Sequence, residues 1–217
     1  MTSERVRVVI ETTRQKSFAS ALDWPGWSRG GKTPGLALEA LLAYAPRYAP
    51  IATAAGEAFP SEPVAEIVET VEGDASTTFG VPGRVAGPEG AALDALEAER
   101  RAALVAAAWK SFDRVVGAAP AELRKGPRGG GRDTAKIREH VVLSDHGYTR
   151  ELGIRVPAPD PTSPASVERL RAAMLEVLRR PSDGGPIAKR WTARYAARRI
   201  AWHALDHAWE IEDRSDR

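Results

Sequence analysis

Four histidines carry most of the metal chemistry this chain could perform, because it contains no cysteine. His203 and His207 lie four positions apart in Trp202-His203-Ala204-Leu205-Asp206-His207, so on a helix both imidazoles leave the same face one turn apart. Glu210 continues that stripe, while Trp202, Leu205 and Trp209 form a neighbouring apolar one that reads as core. Two imidazoles on one turn are how a helix presents a pair of metal ligands. His140 and His146 sit on a second amphipathic segment. At about 100° per residue, Ile137, His140, Val141, Ser144, Tyr148 and Leu152 share one broad face. His146 falls opposite, with Ala135, Val142 and Thr149, as a surface or interface residue. A lone inward histidine is more often a satisfied core residue, but one facing a His-x-x-x-His pair from another helix completes a three-nitrogen site. The expected ligands are therefore His140, His203 and His207, with His146 outside. The ion expected is a divalent metal, zinc first because imidazole suits it, with nickel, iron and manganese left open. Glu210, Asp206 and Glu139 could support the ligands or move protons, although each could equally be a solvated helix charge.

These histidines need helices to hold them, and the second half of the sequence supplies four. Glu89–Val116 is rich in Ala and Leu and stops at Gly117-Ala118-Ala119-Pro120. Asp133 caps a segment running to about Leu152, with Gly153 as its C-cap. Ser163 or Ser166 opens a third segment through Arg180. Ile187 to about Asp213 is the fourth. The glycine-rich run 126–131 can only be a loop.

The first half has a different texture. Val6–Thr12 and Ser17–Leu22 read as a hairpin, broken by Asp23-Trp24-Pro25-Gly26. Thr33 and Pro34 open a helix bearing Leu38, Leu41, Leu42 and Tyr44, which Pro46 and Pro50 kink or end. Ala65–Glu72 supplies a third strand. The expected order over 5–73 is β-β-α-β, and Gly73–Gly87 is a linker or an ordered loop. The fold class is thus α+β, with a small α/β domain at 1–86 and a helical bundle at 87–217.

One motif in the first half invites a sharper reading. Gly26-Trp27-Ser28-Arg29-Gly30-Gly31-Lys32-Thr33 satisfies the phosphate-loop pattern letter for letter. Its context argues against a nucleotide site, because a Pro-Gly turn intrudes at its start, Pro34-Gly35 follows, and no alternating βαβ series is present to build the parallel sheet.

Composition narrows the function classes further. Of 217 residues, 43% are hydrophobic and 28% charged, which describes a globular chain rather than a disordered one. The pI near 9.0 accompanies a formal net charge of only +2. Acidic residues interleave with the arginines, so no nucleic-acid footprint emerges. The charged start, Met1-Thr2-Ser3-Glu4-Arg5, lacks the apolar core of a signal peptide, and no run is long enough to span a membrane. A cytoplasmic location is expected.

Two resemblances follow from these motifs. Arg138-Glu139-His140-Val141-Val142, Tyr148-Thr149-Arg150-Glu151-Leu152-Gly153 and Arg198-Arg199-Ile200-Ala201-Trp202-His203 through His207 resemble the DinB-like superfamily over roughly 88–213. That likeness implies a four-helix bundle binding a divalent metal through three histidines, and an activity among thiol-dependent transferases and isomerases or hydrolases. A small-molecule substrate or a thiol cosubstrate is implied, since the chain has no thiol of its own. Homodimers are common in such bundles, and Trp24 and Trp27, taken as exposed, would add apolar contact. Ser17 through Gly26, Gly31-Lys32-Thr33 and Leu38-Glu39-Ala40-Leu41 resemble, more weakly, the HicB-like fold. This second likeness implies the alternative of a non-catalytic interaction protein whose first half binds a partner or nucleic acid.

Overall fold

The computed structural model describes residues 5–126 and 131–215. Among them the architecture is mixed α+β, with a four-stranded sheet formed by the first 72 residues and the long helices after it. Strands β1 (Arg5–Thr12) and β2 (Ser17–Ala21) form the expected antiparallel hairpin. The Trp24-Pro25-Gly26-Trp27 sequence does break β2, but as a tight turn: the Trp27 amide donates to the Trp24 carbonyl at 3.0 Å, and Gly26 adopts φ +95°. Proline second and glycine third are what such a turn requires. The chain thereby folds back as β3 (Ser28–Gly31), an unexpected strand antiparallel to β2. Ser-Arg-Gly-Gly has no β-branched residue to announce a strand. Its glycines serve another purpose, since a Cβ on Gly31 would come within 2.4 Å of the Ala37 amide nitrogen in the next helix. The phosphate-loop pattern is therefore a strand running into a helix cap.

That helix, α1 (Pro34–Ala43), is capped by Thr33, whose hydroxyl accepts from the Leu36 amide. Pro46 does not end the helical path but starts a second helix, α2 (Ala45–Ala54), because proline suits the first helical turn. β4 (Val64–Glu72) then returns beside β1 in parallel, giving the order β3-β2-β1-β4. The expected β-β-α-β order is thus corrected to β-β-β-α-α-β.

Residues 73–87 are ordered. Asp74 caps a short helix, α3 (Ala75–Phe79). The buried Glu11 carboxylate of β1 accepts from the Gly83 and Arg84 amides at 3.1 and 3.0 Å and from the Thr77 hydroxyl. A single 3₁₀ turn at Gly87–Gly90 leads into α4 (Ala95–Ala118). α5 (Thr134–Tyr148), α6 (Pro164–Leu178) and α7 (Ala193–Ser215) follow, and these four long helices pack on one another. α5 stops four residues short of Leu152, and the turn that follows ends at Gly153 with φ +72°. Of the glycine-rich run expected as a loop, 127–130 lie outside the described residues, as do residues 1–4. No helix among the described residues is long and apolar enough to cross a membrane.

One continuous apolar cluster runs from the sheet through α1 and α2 into α4 and α7, across the boundary expected at 86/87. Trp24 and Trp27 belong to it. They are 8% and 0% exposed, not the surface residues expected, so they offer no apolar face to a second copy. Both pack with Tyr48 and Phe59, and the Trp27 indole donates to the Leu41 carbonyl at 2.8 Å. The turn before them also abuts α7: a Cβ on Gly26 would meet the Leu205 side chain at 2.8 Å and Ala201 Cβ at 3.0 Å. The sheet half is in this way the platform that fixes α7.

Candidate metal centre

α7 begins where the Thr192 hydroxyl accepts from the Tyr195 amide. Its alanines let neighbouring elements approach closely, and most of its length is buried. Three sets of contacts lock its rotation. Phe18 meets the edge of the Trp202 ring at 6.1 Å. Arg29 of β3 reaches Asp206 at 2.9 Å. Arg47 of α2 grips Glu212 and Asp213, each at 2.7 Å. With that rotation set, the face carrying His203 and His207 looks toward α5.

His140 meets them there. The three ring centroids lie 5.0, 5.0 and 4.8 Å apart with interplanar angles of 75–87°, so each imidazole presents its edge to the others. One ligand nitrogen from each lies within 4.8 Å of the other two, a grouping that could hold a metal ion. The Nε2 atoms of His140 and His203 stand 3.1 Å apart. Two nitrogens on one tetrahedral ion at zinc–nitrogen distance would be separated by roughly 3.3 Å. The donor set therefore fits a divalent ion with little movement.

The tautomer of His207 is set from behind. Its Nδ1 hydrogen bonds to Glu210 Oε2 at 2.7 Å, which leaves Nε2 free to ligate, and Arg214 holds the other Glu210 oxygen at 2.6 Å. The hydrogen bond from His207, reinforced by Arg214, keeps the Glu210 carboxyl below the usual carboxylate range. A carboxylate behind a ligating histidine orients the ring and strengthens it as a donor. Burial, then the positive charge His207 can carry, lowers His140 to about 4. The same causes in the same order hold His203 well below the ordinary imidazole value. Both are neutral at pH 7, the state in which imidazole binds a metal. His203 Nδ1 is buried without a hydrogen-bond partner.

The remaining expected residues fall elsewhere. His146 is outside the cluster, its Nε2 on the Val156 carbonyl at 3.1 Å. Glu139 pairs with Lys136 at the surface, and Asp206 serves the contact to β3. Of the three supporting carboxylates considered, only Glu210 touches a ligand.

No protein-family model, no curated protein and no solved structure matches this chain. The site therefore rests on its own geometry.

That geometry includes residues to which the sequence assigns no role at the site. Tyr148 packs its ring 5.9 Å from His203 and 5.0 Å from Trp191, forming a wall of the site. Arg199 lies one turn before His203 on the same stripe. Asp145 is 1% exposed, pushed up to about 7 by burial against the pull of Arg171. Tyr148 shares the His140 face by spacing alone, whereas Arg199 and Asp145 gain a role only where the fold brings them beside Tyr148 and Arg171.

Proposed function

We propose that this chain is a divalent-metal-binding protein of DinB-like architecture, with His140, His203 and His207 as the ligands, working as a metal-dependent transferase, isomerase or hydrolase. The observation that carries the reading is the convergence of three imidazoles from two helices, one of them already oriented by Glu210. Three buried or half-buried rings gathered without an ion would set ring nitrogens against one another with few partners, as Nε2 of His140 and His203 stand at 3.1 Å. Zinc is the first choice, with nickel, iron and manganese compatible with the same donors. A divalent ion held by three protein ligands keeps positions for a water, a thiol or a carbonyl and lowers the pKa of what it binds.

The chain's own residues supply the rest. Glu210 and Arg214 fix His207, while Tyr148 and Trp202 shield His203 from bulk water. With no cysteine in the chain, a thiol nucleophile would come from a cosubstrate. The alternative of a partner-binding first half would need a surface other than Trp24 and Trp27, which are consumed by the core.

The test is reconstitution. The chelated protein is supplied with zinc, nickel, iron or manganese and analysed for metal content and melting temperature. One ion per chain and a raised melting temperature are expected, because a ligand that binds only the folded state stabilises it. Alanine at 140, 203 or 207 removes both effects, and His146→Ala keeps them. Absence of stoichiometric metal in the wild type, or loss of it in His146→Ala alone, overturns the reading.

A further inference from the structure

Arg199, a half-buried cation near the histidines, has no anion beside it among the described residues. Arg199 makes no hydrogen bond or ion pair within the described residues, and its Nη1 is buried without a partner. The part-buried and buried arginines around it on α7 are all engaged: Arg194 on the Ala91 and Ala92 carbonyls, Arg198 on Glu89, Arg214 on Glu210. Arg199 instead lies between two aromatic rings, its guanidinium carbon 4.7 Å from the Trp202 centroid and 5.3 Å from that of Tyr148. Its N–H donors, which form the planar fork that matches a carboxylate, have no hydrogen-bond partner among the described residues.

That side chain lines a cavity of about 420 Å³. The cavity's other charges cancel: Arg84 pairs with Asp74 at 3.8 Å, and Arg190 with Glu151 at 3.3 Å. One net positive charge is left, which suits a monoanion better than a phosphate dianion beside two carboxylates. Trp191 and Tyr195 add aromatic wall, and the Tyr195 hydroxyl is already satisfied by the Gly83 carbonyl at 2.9 Å. These two rings are the aromatic part of a lining that is otherwise mostly polar. Tyr148 bridges this cavity to the histidines, touching Trp191 on one side and His203 on the other. Arg199 precedes His203 by one helical turn, an axial rise of about 6 Å.

We propose that this cavity is a subsite for an organic monocarboxylate with an aromatic or otherwise apolar body, its carboxylate received in plane by Arg199. The body lies against Trp191 and Tyr195. That the far end of such a molecule is directed toward His203 rests on the metal reading above; the carboxylate subsite itself does not.

The test uses benzoate as probe, with benzamide as its neutral counterpart and inorganic phosphate as the competing anion, titrated calorimetrically into zinc-loaded and zinc-free protein. Benzoate is expected to bind the wild type, benzamide and phosphate at least tenfold more weakly. Arg199→Met, which keeps most of the side-chain volume between the two rings, should weaken benzoate by tenfold or more, and Arg199→Lys should recover part of the loss. Zinc content and melting temperature of Arg199→Met should match the wild type, which separates loss of the anion contact from loss of fold. Zinc-free wild type that still binds benzoate in an Arg199-dependent way upholds the subsite even if the metal reading fails. Benzoate affinity unchanged by Arg199→Met, absence of benzoate binding, or a preference for phosphate overturns the subsite and leaves the metal reading standing.

Discussion

Two buried polar clusters flank α7, and they differ in how completely their atoms are used. At the seam with the sheet, Arg198 and Glu89 are almost fully enclosed, and every strong contact is closed. Arg198 donates to both Glu89 oxygens at 2.6 and 2.9 Å and to the Arg84 carbonyl at 2.8 Å, and Glu89 also accepts from the Ala86 amide at 2.9 Å. On the α5 side the pattern is reversed. His203 Nδ1, both Asp145 oxygens, the Trp109 indole nitrogen and two Arg171 nitrogens are buried without a hydrogen bond, although Arg171 Nε stands 3.8 Å from Asp145 Oδ2 as an ion pair. Buried polar groups are ordinarily paired, so a satisfied cluster reads as scaffold and an unsatisfied one as a place kept for something else. The seam fixes α7 on the sheet; the α5 side is where chemistry has room.

The comparison breaks most visibly at the seam. Arg198→Met leaves Glu89 buried and uncompensated, and should lower unfolding free energy by about 3–5 kcal/mol in urea titration. The double variant with Glu89→Met should regain much of that loss, since a buried pair replaced by apolar groups is often near neutral. Recovery of nothing would mean that the pair does more than satisfy itself.

On the other side, His203→Ala should abolish the metal-dependent rise in stability, worth about 4 kcal/mol when free ion stands a thousandfold above its dissociation constant. The metal-free wild type carries a pH signature of the same residues. Below about pH 6.5 the unfolded imidazoles take up protons that folded His140, held near 4, and His203 refuse. Stability should therefore fall as pH drops from about 6.5 to 4. A flat profile there would remove the claim that burial holds these rings neutral.

Asp145 gives a signature of opposite slope. The folded state keeps its proton up to about pH 7, whereas the unfolded carboxyl releases it near its ordinary value. The folded state thus binds more protons in that window, and stability should decline as pH rises through it, by on the order of 4 kcal/mol. Asp145→Asn should remove this decline without changing metal content. The smallest effect is expected at the supporting carboxylate: Glu210→Gln keeps the fold and should weaken metal binding by about 10–100-fold. An unchanged affinity would make Glu210 a surface charge that happens to touch His207.

How much of this was legible in the sequence depended on whether a residue's role is local. The caps at Thr33 and Ser163 and the inward face of His140 follow from spacing alone, and the structure places them accordingly. Ser28–Gly31 was missed because it forms a strand through its glycines, which admit the close approach of α1, rather than through side chains suited to a sheet. For Trp24 and Trp27 the sequence leaves both packing and an exposed patch open; burial is decided by Tyr48 and Phe59, more than 20 residues away. Arg199 could not be distinguished from its neighbour Arg198 by type. Only the fold shows that one meets Glu89 and the other meets nothing anionic.

The ion pair between Arg29 and Asp206 joins residues 177 positions apart. α7 follows every element it packs against, and two of the three expected ligands sit on it. While the chain is being synthesised, the sheet and α1 to α6 emerge without the helix that covers them, and the apolar surface of Phe18 waits for its partner Trp202. Long-range closure of this kind is slow and leaves such surfaces exposed to wrong contacts in the interval. Uptake of an ion by His203 and His207 with His140 can occur only after that closure, so metal capture should be the slowest phase of refolding and should mark its completion.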